Sequence, residues 1–174
     1  MIQLSRWHLI LMIGLASIQA WASAPLTSWG QIALKPTERL ITILQTNDIH
    51  GGVDSSKSKE GAWLGGMALF SGVASSIKQG LSRNWGDHEG VLLVDGGDQF
   101  QGTLLSNYSE GKLQFEAMNL AGYDAVGPGN HDYDFGPRGW LVDQVGPDSL
   151  DKDPRGALKE LVALAHFPLV SANT

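Results

Sequence analysis

From residue 39 onward, apolar and polar positions form short blocks whose spacing changes from one block to the next. Arg39-Leu-Ile-Thr-Ile-Leu-Gln-Thr46 is rich in Leu, Ile and Thr and runs into Asn47-Asp48, which predicts a strand over 39–46. Leu64, Met67, Phe70, Val73, Ala74, Ile77 and Leu81 recur on one helical face, with Gly80 near its end, and predict a helix over 64–81. Val91-Leu-Leu-Val94 is a four-residue apolar run, short enough for a fully buried strand. Leu113 to Ala121 predicts a short helix with Gly122 placed to cap it, and Asp124-Ala-Val126 a weak strand. Asp153-Pro154 has the chemistry of an N-cap and first helical residue, opening a helix that faces inward through Leu158, Leu161, Val162 and Ala165. Phe167-Pro-Leu-Val-Ser171 reads as a last strand, with Pro168 tolerable only near its start. Strands alternating with helices predict an α/β fold with buried, largely parallel strands.

The first residues follow a different pattern. Arg6 is the only charged side chain before Lys35, and it precedes the apolar run Leu9 to Ile18. Ala20-Trp21-Ala22 then offers small residues two apart, the requirement of a signal peptidase. The apolar run is too short for the roughly 20 residues that span a bilayer. Residues 1–22 are therefore expected to be a secretory signal cleaved after Ala22, with an uncleaved anchor as the other reading. Residues 23–38 form a leader broken by Pro25, Gly30 and Pro36. The expected product is exported, periplasmic or extracellular, with no membrane contact after cleavage.

Composition narrows the chemistry. The 174 residues are 43% hydrophobic and 17% charged, as in a globular protein, and contain no Cys. That excludes disulfides, thiolate metal sites and cysteine nucleophiles. A net charge of −6 argues against nucleic acid as a partner, although a bound metal can invert the local charge and admit an acidic substrate. Twenty-two glycines imply many tight turns or close backbone approaches.

Polar residues collect where the predicted strands end. The first strand leads into Asp48-Ile49-His50, the second into Asp95-Gly-Gly-Asp98, and the third into Gly127-Pro-Gly-Asn130-His131-Asp132-Tyr133-Asp134. In an open α/β sheet ligands sit beyond the carboxyl ends of the strands, so the three groups should converge. Asp48 and His50, two apart, would share one side of an extended backbone. Glycines beside Asp98 and Asn130 would let the chain turn sharply towards the same point. Carboxylate, imidazole and amide oxygen suit divalent ions such as Mn, Zn, Fe, Mg or Co. Taken singly, the first two groups are ordinary polar turns. The ordered set of three is the stronger signal.

Asn47-Asp48-x-His50, Gly97-Asp98 and Gly129-Asn130-His131-Asp132, in that order, resemble the calcineurin-like metallophosphoesterases. The longer runs Leu44 to Gly51, Gly96 to Thr103, Met118 to Ala125 and Phe167 to Asn173 resemble the 5′-nucleotidase / UDP-sugar hydrolase branch, over residues 39–174. The resemblance implies the N-terminal part of a four-layer αββα metallophosphatase sandwich, incomplete in this chain. It implies two divalent metal ions, with Asp48 and His50 on the first, Asp98 bridging both and Asn130 on the second. His131, held by Asp134, would act on the phosphoryl group rather than as a ligand, and Asn130 and His131 would contact substrate. The implied reaction is attack of metal-bound hydroxide on a nucleotide phosphate ester or anhydride. Alternatives are a 2′,3′-cyclic nucleotide phosphodiesterase and a truncated, inactive fragment.

The family's further histidines, in Gly-His-x-His or Gly-His-x-Gln motifs, have no counterpart here, and neither does its nucleoside-binding domain. The 174-residue chain alone is therefore expected to show no appreciable turnover. His166, the one histidine after His131, is expected on the surface of the last helix. Residues 146–156 read as a solvated loop, since the EF-hand spacing is absent. Asn107-Tyr-Ser109 fits a glycosylation sequon, His88 a polar loop, and Trp63 and Trp140 core or surface packing rather than a cleft.

Overall fold

The computed structural model describes residues 7–12, 34–85, 87, 89–136 and 155–172. Its centre is a four-stranded parallel sheet in the order β1-β2-β5-β6, built from β1 (Trp7–Met12), β2 (Arg39–Thr46), β5 (Glu89–Asp95) and β6 (Ala125–Val126). Between β2 and β5 come a two-residue-per-arm hairpin, β3 (Ser56–Lys57) with β4 (Trp63–Leu64), and the helix α1 (Met67–Trp85). After β5 come α2 (Leu104–Tyr108) and α3 (Lys112–Ala121), and α4 (Gly156–Leu164) follows β6. No helix among the described residues is long and apolar enough to cross a membrane.

Branched side chains at 40–44 and 91–94 favour extended backbone, and their in-register pairing, Leu40 with Glu89 through Thr46 with Asp95, holds the two central strands together. Leu40 and Leu44 on β2 and Leu93 on β5 point to one face of the sheet and are buried. Met67 and Ala74 of α1 and Phe115, Met118 and Ala121 of α3 join Leu44 and Leu93 in one core. Each fully buried Leu, Phe or Met side chain contributes about 1.5–3 kcal/mol through removal from water.

Aromatic rings carry this core towards the ends of the strands. Phe100 stacks on Phe135 at 5.3 Å between centroids and meets Phe115 edge-on at 6.1 Å, and Phe115 touches Phe167 at 5.7 Å. Phe100 lies two residues after Asp98 and Phe135 one after Asp134, so packing against α3 fixes the two loops that carry the candidate chemistry.

Several expectations are corrected. Leu64 belongs to the hairpin, because Lys57 sits over the Trp63 ring at 4.9 Å and Gly65 and Gly66 take positive φ before the helix begins at Met67. Trp63 is exposed. The Val91–Val94 run is not buried throughout: Leu93 is fully buried but Leu92 is 44% exposed, since the described helices cover the Leu93 face of this sheet. Val73 and Val162 are likewise exposed on their helices. The described start of α4 is Gly156, with Arg155 at its N-cap, and Asp153-Pro154 lies outside the described residues, as do His88 and Trp140. The last strand reduces to a single parallel bridge, Leu169 to Val126, with Pro168 carbonyl accepting from Val126 N–H. His166 lies past the end of α4; it is exposed, and its backbone N–H donates to Asn119 Oδ1.

Trp7–Met12, within the segment expected to be a signal, pairs in parallel with β2 from Trp7–Arg39 to Met12–Leu44. This stretch and the edge of β2 satisfy each other's backbone groups.

Candidate metal centre

The β2–β5 ladder does not stop at the strand ends. Gly96 N–H donates to Thr46 carbonyl, Asp48 N–H to Gly97 carbonyl, His50 N–H to Asp98 carbonyl and Gly51 N–H to Gln99 carbonyl, all between 2.8 and 3.0 Å. Two loops thus run side by side beyond the sheet, one carrying Asp48 and His50, the other Asp98. One ligand atom from each of Asp48, His50 and Asp98 lies within 4.8 Å of the others. The expected convergence is met, but not by the expected route. Asp48 (φ 53°), His50 (φ 48°) and Asp98 (φ 58°) are all left-handed rather than extended. For a non-glycine residue this conformation costs roughly 1–2 kcal/mol and is held only where the surroundings enforce it.

The surroundings do so atom by atom. His50 Nδ1 lies 2.7 Å from Gln101 carbonyl, so Nδ1 carries the proton and donates, and Nε2 is left as the ligand atom. That Nε2 is 3.8 Å from Asp48 Oδ1. Asn47 Nδ2 donates to Asp48 Oδ2, which orients the carboxylate. Asp98 Oδ1 accepts from His131 N–H at 2.8 Å. Two carboxylates and an imidazole with a free Nε2 form a donor set that fits a divalent ion of the Mn, Zn, Fe, Co or Mg group.

The third loop reaches the site because two glycines let backbones touch. A Cβ on Gly129 would lie 2.2 Å from Asp98 Oδ1, and one on Gly97, at φ 117°, would lie 2.4 Å from Gly129 N. Asn130 follows directly, exposed beside the loop that carries Asp98. The His131 ring stands edge-on to His50 with centroids 5.3 Å apart. Its Nδ1 lies 2.6 Å from Asp134 Oδ2, and this hydrogen bond raises the imidazole pKa above its ordinary value. Asp134 therefore favours the protonated ring and leaves Nε2–H uncommitted to it.

Residues given no individual role from the sequence hold the site from beneath. Asp95 is buried at the end of β5; its Oδ1 accepts from Gly97 N–H and Gln99 Nε2, and its Oδ2 from Thr46 Oγ1. Tyr123 hydroxyl lies 2.8 Å from Thr46 Oγ1. Burial raises the pKa of Asp95 and, more strongly, of Tyr123, so the phenol stays a donor into this chain of bonds. The signal for Asp95 was visible as the first carboxylate of Asp95-Gly-Gly-Asp98. Nothing local marks Thr46 or Tyr123, which meet only through the fold.

The described residues form an α/β protein whose parallel sheet ends in an aspartate–histidine–aspartate cluster that could hold a metal ion, with a second histidine on a carboxylate beside it. Structural comparison gives its class as the metallophosphatase fold. The 5′-nucleotidase precursor from Thermus thermophilus superposes with a TM-score of 0.54 at 28% identity, covering 75% of this chain and 22% of that one. Among curated proteins, a snake venom 5′-nucleotidase from Gloydius brevicauda is 35% identical over 133 residues, or 76% of this chain, and Protein UshA from Salmonella pullorum is 32% identical over 161 residues, or 92%. No protein-family profile matches the chain. The chain spans about a fifth to a quarter of the length of these relatives, 19% and 24%. Over most of its described length the chain is similar to 5′-nucleotidases, of which it spans a part.

Proposed function

We propose that the protein is an exported phosphohydrolase of the 5′-nucleotidase type, acting on nucleotide phosphate esters or anhydrides with two divalent ions. The observation that carries this reading is the meeting of Asp48, His50 and Asp98 within 4.8 Å with His131 at their side. Asp48 and His50 would hold the first ion, Asp98 both, and Asn130 the second. Bound there, the ions would supply charge neutralisation of a phosphoryl group and a nucleophile at neutral pH. The chain's own residues do the rest. Asn130, exposed, and His131, partly exposed, would contact the phosphate. His131, whose protonated form Asp134 favours, would donate from Nε2 to oxygens on which negative charge builds, the point at which a fixed donor accelerates reaction most.

The test is hydrolysis by the full-length protein with added Mn or Co. Release of phosphate from AMP, abolished by chelation and restored by metal, is the expected result. Turnover of a 2′,3′-cyclic nucleotide without turnover of AMP would move the reading to a cyclic phosphodiesterase, and metal-replete inactivity on both would overturn it. Export is tested separately by intact mass, with Ser23 expected as the first residue of the exported protein. Cleavage there removes β1 but leaves the β2–β5 ladder that carries the site.

A further inference from the structure

Asp132 follows His131 and is 1% exposed, yet it contributes no atom to the Asp48–His50–Asp98 cluster. Its carboxylate accepts three backbone N–H groups. Oδ2 takes Asp98 N–H at 3.0 Å and Gly129 N–H at 2.8 Å, and Oδ1 takes Gln99 N–H at 2.9 Å. In return Asp98 Oδ1 takes the N–H of His131 at 2.8 Å. The loop after β5 and the loop after β6 thus exchange carboxylate-to-amide bonds in both directions, across a contact so close that neither Gly97 nor Gly129 has room for a Cβ.

Resting on the reading above, we propose that Asp132 is a positioning residue that sets the distance between the metal-bridging Asp98 and the substrate-facing pair Asn130 and His131. The bond to Gly129, three residues back, curls the 129–132 turn that presents Asn130 and His131. The bonds to Asp98 and Gln99 tie that turn to a left-handed aspartate with no helix or strand of its own to hold it. One carboxylate performs both tasks, so loosening it shifts metal ligand and phosphoryl donor relative to each other. Misplacement by about 1 Å is enough to lose on the order of 100-fold in rate.

The experiment compares full-length wild type with Asp132→Asn and Asp132→Glu. Asp132→Asn keeps the shape but turns an N–H₂ against one of the three donors. Asp132→Glu keeps the charge but sets the carboxylate one methylene further from the backbone, out of register with its three donors. Mn²⁺ affinity is measured by titration, kcat and KM on AMP at saturating Mn²⁺, and folding by circular dichroism. Folded variants are expected to bind Mn²⁺ roughly 10–100-fold more weakly. At saturating metal their kcat stays at least about 10-fold down with KM little changed, and the charge-conserving Glu does not rescue. A folded Asp132→Asn with wild-type Mn²⁺ affinity and kcat would overturn the proposal. So would failure of both variants to fold, which assigns Asp132 to stability instead. Wild type that binds Mn²⁺ but hydrolyses no nucleotide would sink the functional reading alone, leaving the affinity comparison to decide on Asp132.

Discussion

His50 is left by the fold with a single uncommitted ring nitrogen. Its Nδ1 is committed to Gln101 carbonyl, its backbone to Asp98 and Thr103, and only Nε2 remains for a ligand. His131 has its Nδ1 committed to Asp134. The two roles separate by substitution. Asp98→Ala should lose bound metal and activity together, whereas His131→Ala should cut turnover by on the order of 100-fold or more while largely sparing metal content. Metal analysis of both variants by mass spectrometry checks this, and equal metal loss in both would show that His131 is a ligand. The pH dependence follows from Asp134. Because the carboxylate raises the His131 pKa, the protonated donor persists to higher pH than a free imidazole would allow, and is lost as pH rises through the raised value. Asp134→Asn should therefore move the alkaline fall of kcat to lower pH, read from a pH–rate profile. These residues were legible in the sequence because chemistry-bearing types stood in order after apolar runs. Their conformation was not: nothing about Asp48 or His50 announces a left-handed backbone, and the alternation of an extended strand placed them on one side for the wrong reason.

At the scale of elements, the strands and helices with strong periodicity were legible, and the pieces held by tertiary contacts were not. β2 and α3 follow their local patterns closely. α2 has five residues and no apolar face, since Leu104 and Tyr108 are almost fully exposed; it exists because Thr103 caps it through Ser106 N–H while Thr103 Oγ1 reaches Gly51 carbonyl. The final strand failed because Pro168 offers no N–H and only Leu169 bridges to β6. The close approach of loops gives a direct prediction. Gly97→Ala demands a Cβ 2.4 Å from Gly129 N at φ 117°, so it should destabilise the fold by about 2–4 kcal/mol and weaken metal binding as well. A milder change beneath the site, Tyr123→Phe, removes one buried hydrogen bond to Thr46 and should cost about 1 kcal/mol. Urea midpoints at constant m-value measure both.

For the molecule as a whole, the described residues cover the sheet unequally. Helices α1 and α3 pack on the face that carries Leu44 and Leu93, while Leu92 on the opposite face is 44% exposed among the described residues. The α/β class and the parallel strands could be read from the alternation of elements, but this uneven cover could not, because an all-apolar run such as Val91–Val94 does not say which face is packed. Ligand binding to the folded state alone raises its stability, by about 2.7 kcal/mol at 100 times Kd. Added Mn²⁺ should therefore raise the melting temperature of the full-length protein and leave Asp98→Ala unmoved. The position of the metal is the central question, and anomalous diffraction from crystals of the full-length protein grown with Mn²⁺ locates it directly. Two neighbouring peaks are predicted, one bounded by Asp48, His50 and Asp98 and the other by Asp98 and Asn130, with His131 liganding neither. Peaks that avoid Asp98, or His131 Nε2 bound to an ion, would contradict it.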